Sequence, residues 1–198
     1  MPNALQVKTY TALPDFDKRE VLRYAGYRSE ADESTAALLD ECLQEAKNAF
    51  SFRVAYLTLT REEFSAEFKP SEALQNTRLS GVDKVVLFAA TVGLEIDRLT
   101  AKYANVSTVK ALFFQAIGAE RVEALCDRFC EELAEGYAAQ GVRVQPRFSP
   151  GYGEFPLAAQ KTMCRLLDCL RTIGVGLQDS LLMSPTKSVT AVVGLTKE

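Results

Sequence analysis

The sequence predicts an α+β fold, a single domain in which a mostly antiparallel mixed sheet packs against long helices. Three observations lead there. Strand-like and helix-like segments are mixed without the regular β-α-β rhythm of a parallel sheet. Two pairs of extended segments, mid-chain and near the end, lie close enough in sequence to form hairpins, which pair antiparallel. The 198 residues are 47 % hydrophobic and 25 % charged, enough apolar material for one core, with no internal repeat, low-complexity segment or evident linker.

Leu5 to Leu13 alternates weakly and reads as an edge strand. Asp17 to Tyr24 reads as a short helix ended by Gly26. Ser34 is placed to cap the next helix, on which Leu39, Leu43, Ala46 and Phe50 recur at helical spacing. Phe52 to Thr60 is rich in β-branched and aromatic residues and reads as a strand, with Glu63 to Phe68 as its hairpin partner, stopped by Pro70. Ser71 to Leu79 is expected to be a short surface helix. Lys84 to Thr91 is nearly all apolar, as a central strand buried on both faces would be, and Gly93 ends it. Helices follow at Leu94 to Tyr103 and Ser107 to Ala139, the second with Leu112, Gln115, Gly118 and Val122 along one face. Gly118 inside a helix costs about 1 kcal/mol against Ala, so close packing or the approach of a ligand is expected there. After Gly141, Val142 to Arg147 alternates as a strand, and Pro156 starts a helix over Leu157 to Leu170. Ser180 to Met183 and Ser188 to Leu195 are the last expected strands, joined through Ser184-Pro185-Thr186-Lys187.

Composition excludes several function classes. A net charge of −3, with a sequence pI near 5.3, leaves no basic field to follow a phosphate backbone, so nucleic acid is not an expected partner. No apolar run has the length of a membrane span and the N-terminus lacks a signal peptide's charged and apolar regions, so a cytoplasmic protein is expected. Histidine is absent, which removes Ser–His–Asp and Cys–His chemistry and His-based zinc sites. The five cysteines, Cys42, Cys126, Cys130, Cys164 and Cys169, are an odd number and do not suggest a disulfide framework. Cys126 and Cys130 share a helix face. They are read as two small buried hydrophobes rather than metal ligands, because no second ligand pair accompanies them.

The stretch Arg147-Phe148-Ser149-Pro150-Gly151-Tyr152-Gly153 carries the chemistry. Pro150 presets one torsion of a type II turn and Gly151 permits the positive torsion that follows, so the chain reverses tightly after a strand. Glycine there also lets a ligand approach the backbone. Arg147 offers a planar fork for a carboxylate, and Tyr152 offers a flat ring and a hydroxyl. Together they suit a small zwitterion joined to a flat base. By spacing alone the stretch reads first as an ordinary strand-to-helix turn with a surface arginine, because Pro-Gly turns are common.

Arg-x-x-x-Gly-Tyr resembles the S-adenosylmethionine motif of the activation (reactivation) domain of cobalamin-dependent methionine synthase. Two more stretches resemble that domain in the same order: Phe88-Ala89-Ala90-Thr91-Val92-Gly93-Leu94-Glu95-Ile96-Asp97, and Ser180-Leu181-Leu182-Met183-Ser184-Pro185-Thr186-Lys187-Ser188-Val189. The likeness to the large enzyme's domain runs from about Lys84 to Leu195, and the whole chain looks like a stand-alone short form. The resemblance implies one unit over 1–198, with an N-terminal accessory part over 1–80 and an S-adenosylmethionine-binding part over 84–195. It places Arg147, Gly151 and Tyr152 on the motif, Ser149 where a backbone group contacts the ligand, and Glu123 where a helix carboxylate binds it. None of these is implied to be a catalytic acid or base, and no metal site is implied.

The implied function is reactivation. The protein would present S-adenosylmethionine to cobalamin held by a partner, a methionine synthase core or another corrinoid protein, while an external one-electron reductant supports reductive methylation of cob(II)alamin to methylcobalamin. The cofactors would carry the bond-making, and the protein would position them and exclude water. The family's Asp-Trp-x-Pro-Phe element has no counterpart, since the chain holds no Trp, and its late tyrosine-containing strand is not found before Glu198. Two ligand contacts fewer are therefore expected. Three other readings remain: a non-catalytic docking subunit of a corrinoid methyltransferase that no longer binds S-adenosylmethionine, a ligand-sensing regulator, and, last, a thiol redox role through Cys126 and Cys130.

Overall fold

A computed structural model describes residues 4–29 and 31–197. Among these described residues, seven strands and eight helices follow in the order β1 (Gln6–Tyr10), α1 (Lys18–Tyr24), α2 (Glu33–Ala46), β2 (Phe52–Thr60), α3 (Arg61–Phe68), α4 (Glu72–Thr77), β3 (Lys84–Thr91), α5 (Glu95–Tyr103), α6 (Thr108–Ala138), β4 (Val142–Val144), α7 (Ala159–Leu166), α8 (Cys169–Ile173), β5 (Gly176–Leu177), β6 (Met183–Ser184) and β7 (Ser188–Lys197). Five strands form one sheet in the order β1-β2-β3-β7-β4, and every pairing in it is antiparallel.

The apolar run of β3 is explained by its central place. Val86, Phe88 and Ala90 face a core made with Leu39 and Leu43 of α2 and with Phe113, Phe114, Ile117, Leu125 and Phe129 of α6. Val85, Leu87 and Ala89 face a second core with Phe64 of α3, Leu74 of α4, Met163 of α7 and Ile173 of α8. Helices thus cover both faces of the sheet, so consecutive side chains of its central strand, which point to opposite faces, must all be apolar. The 31-residue helix α6 spans the first face. No helix among the described residues is long and apolar enough to cross a membrane.

Several expected elements differ. Glu63 to Phe68 is helical, not a hairpin partner of β2. Thr60 and Glu63 form a reciprocal capping box at the start of α3, and Phe64 stacks on Phe68 one turn later at 4.6 Å. Ser180 to Met183 is not a strand paired with β7. Leu181 has a left-handed backbone with φ 66°, and the short β6 pairs with β5 in a separate two-stranded sheet. The antiparallel sheet therefore arises from helical crossovers rather than the two expected hairpins. Asp32, not Ser34, caps α2, accepting from the Thr35 N–H at 2.8 Å. The expected helix over Leu157 to Leu170 is broken into α7 and α8 at Asp168, whose φ is 43°. On α6, Gly118 and Val122 are buried but Leu112 is 43 % exposed, so the buried face runs instead through Phe113, Ile117, Arg121 and Leu125. Gly118 serves close packing: a Cβ there would lie 2.8 Å from Lys187 Cγ and 3.1 Å from Ile96 Cγ1.

Candidate functional site

β4 stops at Val144, short of the expected Arg147, and this shapes the site. Its three residues pair with Leu195–Lys197 of β7. The chain then touches β7 twice more, through Gln145 N–H on Gly194 O at 2.8 Å and through reciprocal hydrogen bonds between Phe148 and Val192 at 3.0 and 2.8 Å. Beyond that bridge Ser188, Val189 and Thr190 pair with β3 on one side, and on the β4 side no strand among the described residues continues along them. A cleft of about 660 Å³ opens there, lined by these three residues together with Arg78, Glu123, Arg147, Phe148, Ser149, Pro150, Tyr152, Leu157, Gln160 and Met183. That volume and mixture of apolar walls with a few polar groups are typical of small-molecule sites.

Four of the five residues singled out in the sequence, Glu123, Arg147, Ser149 and Tyr152, line this one cleft. The fifth, Gly151, forms the turn beneath it. Tyr152 N–H donates to Ser149 O at 3.3 Å and Gly151 N–H to Phe155 O at 2.8 Å, and Gly151 has φ 91°, as position three of a type II turn requires. A Cβ on Gly151 would also meet Leu157 Cδ1 at 3.2 Å. The turn leaves the Tyr152 side chain 76 % exposed at the mouth.

Arg147 is drawn toward α6. Its Nη2 donates to Glu123 Oε2 at 2.7 Å and to Asp127 Oδ1 at 2.8 Å. Partial burial works to lower the guanidinium pKa, but the hydrogen bond and charge of Glu123, with Asp127, outweigh it and leave the group raised and firmly cationic. Glu123 and Asp127 lie one helical turn apart, so one cation serves both. Asp127 was not singled out from the sequence, although its i+4 relation to Glu123 was available. Arg78, Gln160, Ser188 and Thr190 were also missed. They come from three separate stretches brought together by tertiary structure, Ser188 and Thr190 both lying on β7. Arg78 sits over the Phe148 ring, 6.0 Å from its centroid. Ser188 Oγ is satisfied by Thr91 Oγ1 at 2.9 Å and Pro185 O at 2.8 Å.

The cysteines lie apart from the cleft's lining. Cys126 is buried in the core, and burial pushes its thiol well above the ordinary value. Cys130 is half-buried and pushed up to about 11 by burial. Among the described residues no group of three or more Cys, Asp and Glu is arranged to hold a metal ion.

The fold itself has a solved counterpart. A crystal structure of the MetH reactivation domain bound to AdoHcy superposes with a TM-score of 0.63 at 15 % sequence identity, covering 96 % of this chain and 78 % of that one. The fold is that of a methionine synthase reactivation domain. The profile of the family described as vitamin B12 dependent methionine synthase, activation domain, matches residues 58–198, and this chain belongs to that family. No curated protein matches the chain.

Proposed function

We propose that this chain is a reactivation subunit that binds S-adenosylmethionine and serves a cobalamin-dependent methionine synthase core. The observation that carries this is the convergence of Arg147, Ser149, Tyr152 and Glu123 on one cleft, although Glu123 is 24 residues from Arg147 in sequence. Chemically the cleft fits the ligand. Arg147 offers a guanidinium to the carboxylate, Glu123 a carboxylate to the ammonium or sulfonium, and Tyr152 a ring at the mouth. Two of the residues that line it, Gln160 and Thr190, each hold a buried polar atom without a hydrogen-bond partner among the described residues. S-adenosylmethionine, when bound, would supply the methyl group and leave as S-adenosylhomocysteine, and the partner's cobalamin would accept that methyl group with one electron from an external reductant. Glu123, Arg147, Ser149, Gly151 and Tyr152 bind and orient, and none acts as a general acid or base. Residues 1–198 act as one unit, because β1 and β2 of the N-terminal part complete the same sheet as β3 and β7. The partner approaches at the Arg147–Glu154 turn.

The test is reconstitution of four components: a cob(II)alamin-loaded synthase core without its own activation domain, this protein, S-adenosylmethionine and a low-potential reductant. Methylcobalamin should appear in the visible spectrum only with all four. Equal rates without this protein would overturn the proposal.

One observation favours a second reading, a docking subunit that no longer binds the ligand. Arg147 is already held by two carboxylates, so a ligand carboxylate must compete for it. Calorimetric titration with S-adenosylmethionine, alone and with the core present, separates the two: no heat in either case leaves docking alone.

A further inference from the structure

All five cysteines are free thiols, and the fold sorts them. Cys126 and Cys130 share a face of α6, one turn apart on an unbroken helix. Their Cβ atoms stand about 5–6 Å apart in such a helix, whereas a disulfide needs roughly 3.5–4.5 Å. Burial also pushes both of these thiols up, so the pair neither ionises readily nor reaches across to bond. Cys164 and Cys169 are placed differently. Helix α7 ends at Leu166, and Asp168 takes a left-handed backbone with φ 43° and ψ 49°. The Asp168 N–H donates back to Arg165 O at 3.3 Å. That is the inner hydrogen bond of a Schellman turn, which folds the residue second past the C-cap onto the third residue from the helix end. Those two positions are Cys169 and Cys164. Their thiols are hydrogen-bonded to each other. Cys169 is 1 % exposed, within the second core, and the half-buried Cys164 packs against that core from outside. The shared hydrogen bond lowers the Cys164 thiol and raises that of Cys169, which makes Cys164 the nucleophile of the two.

We propose that Cys164 and Cys169, brought together by the turn between α7 and α8, are a dithiol that a hydroperoxide oxidises reversibly to a disulfide. The Cys164 thiolate attacks one peroxide oxygen. The O–O bond breaks, Cys164 becomes a sulfenic acid, and the other oxygen leaves as water or an alcohol. The Cys169 sulfur, already in contact, then attacks the Cys164 sulfur. The S–S bond forms, the S–O bond breaks, and the hydroxyl departs as water with the Cys169 proton. Each sulfur gives up one electron and the peroxide takes two. An external dithiol reverses the reaction by exchange. Burial of Cys169 does not impede this, because its only reaction partner is the sulfur beside it. Gln160, in the first turn of the same helix α7, lines the Arg147 cleft. Neither cysteine lines that cleft, so the thiol chemistry does not depend on what the cleft binds.

The experiment treats the full chain with hydrogen peroxide, blocks remaining thiols with a maleimide under denaturing conditions, and maps tryptic peptides by mass spectrometry. Trypsin cuts after Lys161, Arg165 and Arg171, so the disulfide would hold two short peptides together. That linked pair should be the first product. It should form about tenfold or more faster than any change at Cys42, Cys126 or Cys130, and vanish on treatment with dithiothreitol. Cys169→Ser should stop at the sulfenic acid, trapped at Cys164 by dimedone. Cys164→Ser changes a half-buried position, which keeps the test open if the core variant fails to fold, and it should leave Cys169 unoxidised. In the parent, Cys164 passing to sulfinic acid without the linked peptides would overturn the proposal. So would a first disulfide through any other cysteine, or one between two chains.

Discussion

Removing the Arg147 side chain tests the site at its centre. Its Nη2 is shared between Glu123, at 2.7 Å, and Asp127, at 2.8 Å. Arg147→Ala therefore leaves two carboxylates one turn apart on α6 with no cation between them. The Glu123 and Asp127 side chains are 39 % and 64 % exposed, so screening limits the loss. Two partly exposed pairs and a new like-charge contact come to about 1–2 kcal/mol, a drop of roughly 2–8 °C in melting temperature for a chain of this size. Loss of the ligand carboxylate's partner should cost a further 1.5–3 kcal/mol of binding, about 10- to 150-fold in affinity. Arg147→Lys keeps a charge between the carboxylates but not the fork, so it should recover stability more than affinity. Asp127→Asn removes a competitor for the guanidinium and should tighten binding by roughly 1.5- to 5-fold. The assay is calorimetry with S-adenosylhomocysteine, which transfers no methyl group, beside thermal melts of each variant. A folded Arg147→Ala that binds as tightly as the parent refutes the assignment of Arg147 to the ligand carboxylate.

Gly151→Val forces a β-branched residue to φ 91° and into Leu157; it should cost about 1–3 kcal/mol in a denaturant titration and abolish detectable ligand heat. Cys164, half-buried and lowered by its hydrogen bond with Cys169, should react with a maleimide before Cys42, which burial pushes up to about 11, or the buried Cys126; mass spectrometry of a labelling time course gives the order, and Cys126 reacting first would refute it. Asp32 is held below the usual carboxylate value by the Thr35 N–H and the Ser34 hydroxyl. Its folded value lies below its unfolded one, so its contribution is present above about pH 4 and is lost as pH falls through the folded value. Asp32→Asn should therefore flatten the acid limb of a stability-versus-pH curve, and an unchanged limb would show that the cap does not titrate there.

The elements read from sequence were those whose signal is local. β3 spans Lys84–Thr91 as its apolar run implied, and β2 spans Phe52–Thr60 as its β-branched residues implied. The failures came where partners decide. Phe64 and Phe68 look like strand residues until the Thr60–Glu63 capping box is noticed, and that box was legible in the letters themselves. Nothing local marks Met183 as a partner of Leu177 rather than of β7. The site divides the same way. Arg147, Gly151 and Tyr152 lie in one short stretch and so were readable together; Ser149 was assigned only by the resemblance. Glu123 came from family resemblance. Gln160 and Thr190 carry no local mark in the sequence, because tertiary packing alone brings them to the cleft.

Helix α6 joins the N-terminal part to the cleft, and the joint can be tested. Arg121 is 3 % exposed and Glu120 5 %, and their side chains pair with each other. Arg121 also donates through Nη1 to Pro14 O at 2.6 Å and through Nη2 to Asp15 O at 3.2 Å, and lies over the Phe16 ring, 4.4 Å from its centroid. Glu120 Oε1 accepts from the Asp17 N–H at 3.3 Å. This clamp fixes Pro14 to Asp17 against the helix turn that bears Glu123, and a second cleft, lined by Asp15, Asp17, Glu20 and Tyr24, shares Glu123 with the first. Arg121→Met strands a buried carboxylate and should cost about 3–5 kcal/mol, whereas the double variant Glu120→Gln/Arg121→Met removes both charges and should cost less than the single one. Denaturant midpoints decide this, and a double variant less stable than the single one would refute the pairing. Ligand affinity should fall in Arg121→Met too, although Arg121 does not line the Arg147 cleft, because releasing Pro14 to Asp17 frees the turn that holds Glu123 opposite Arg147.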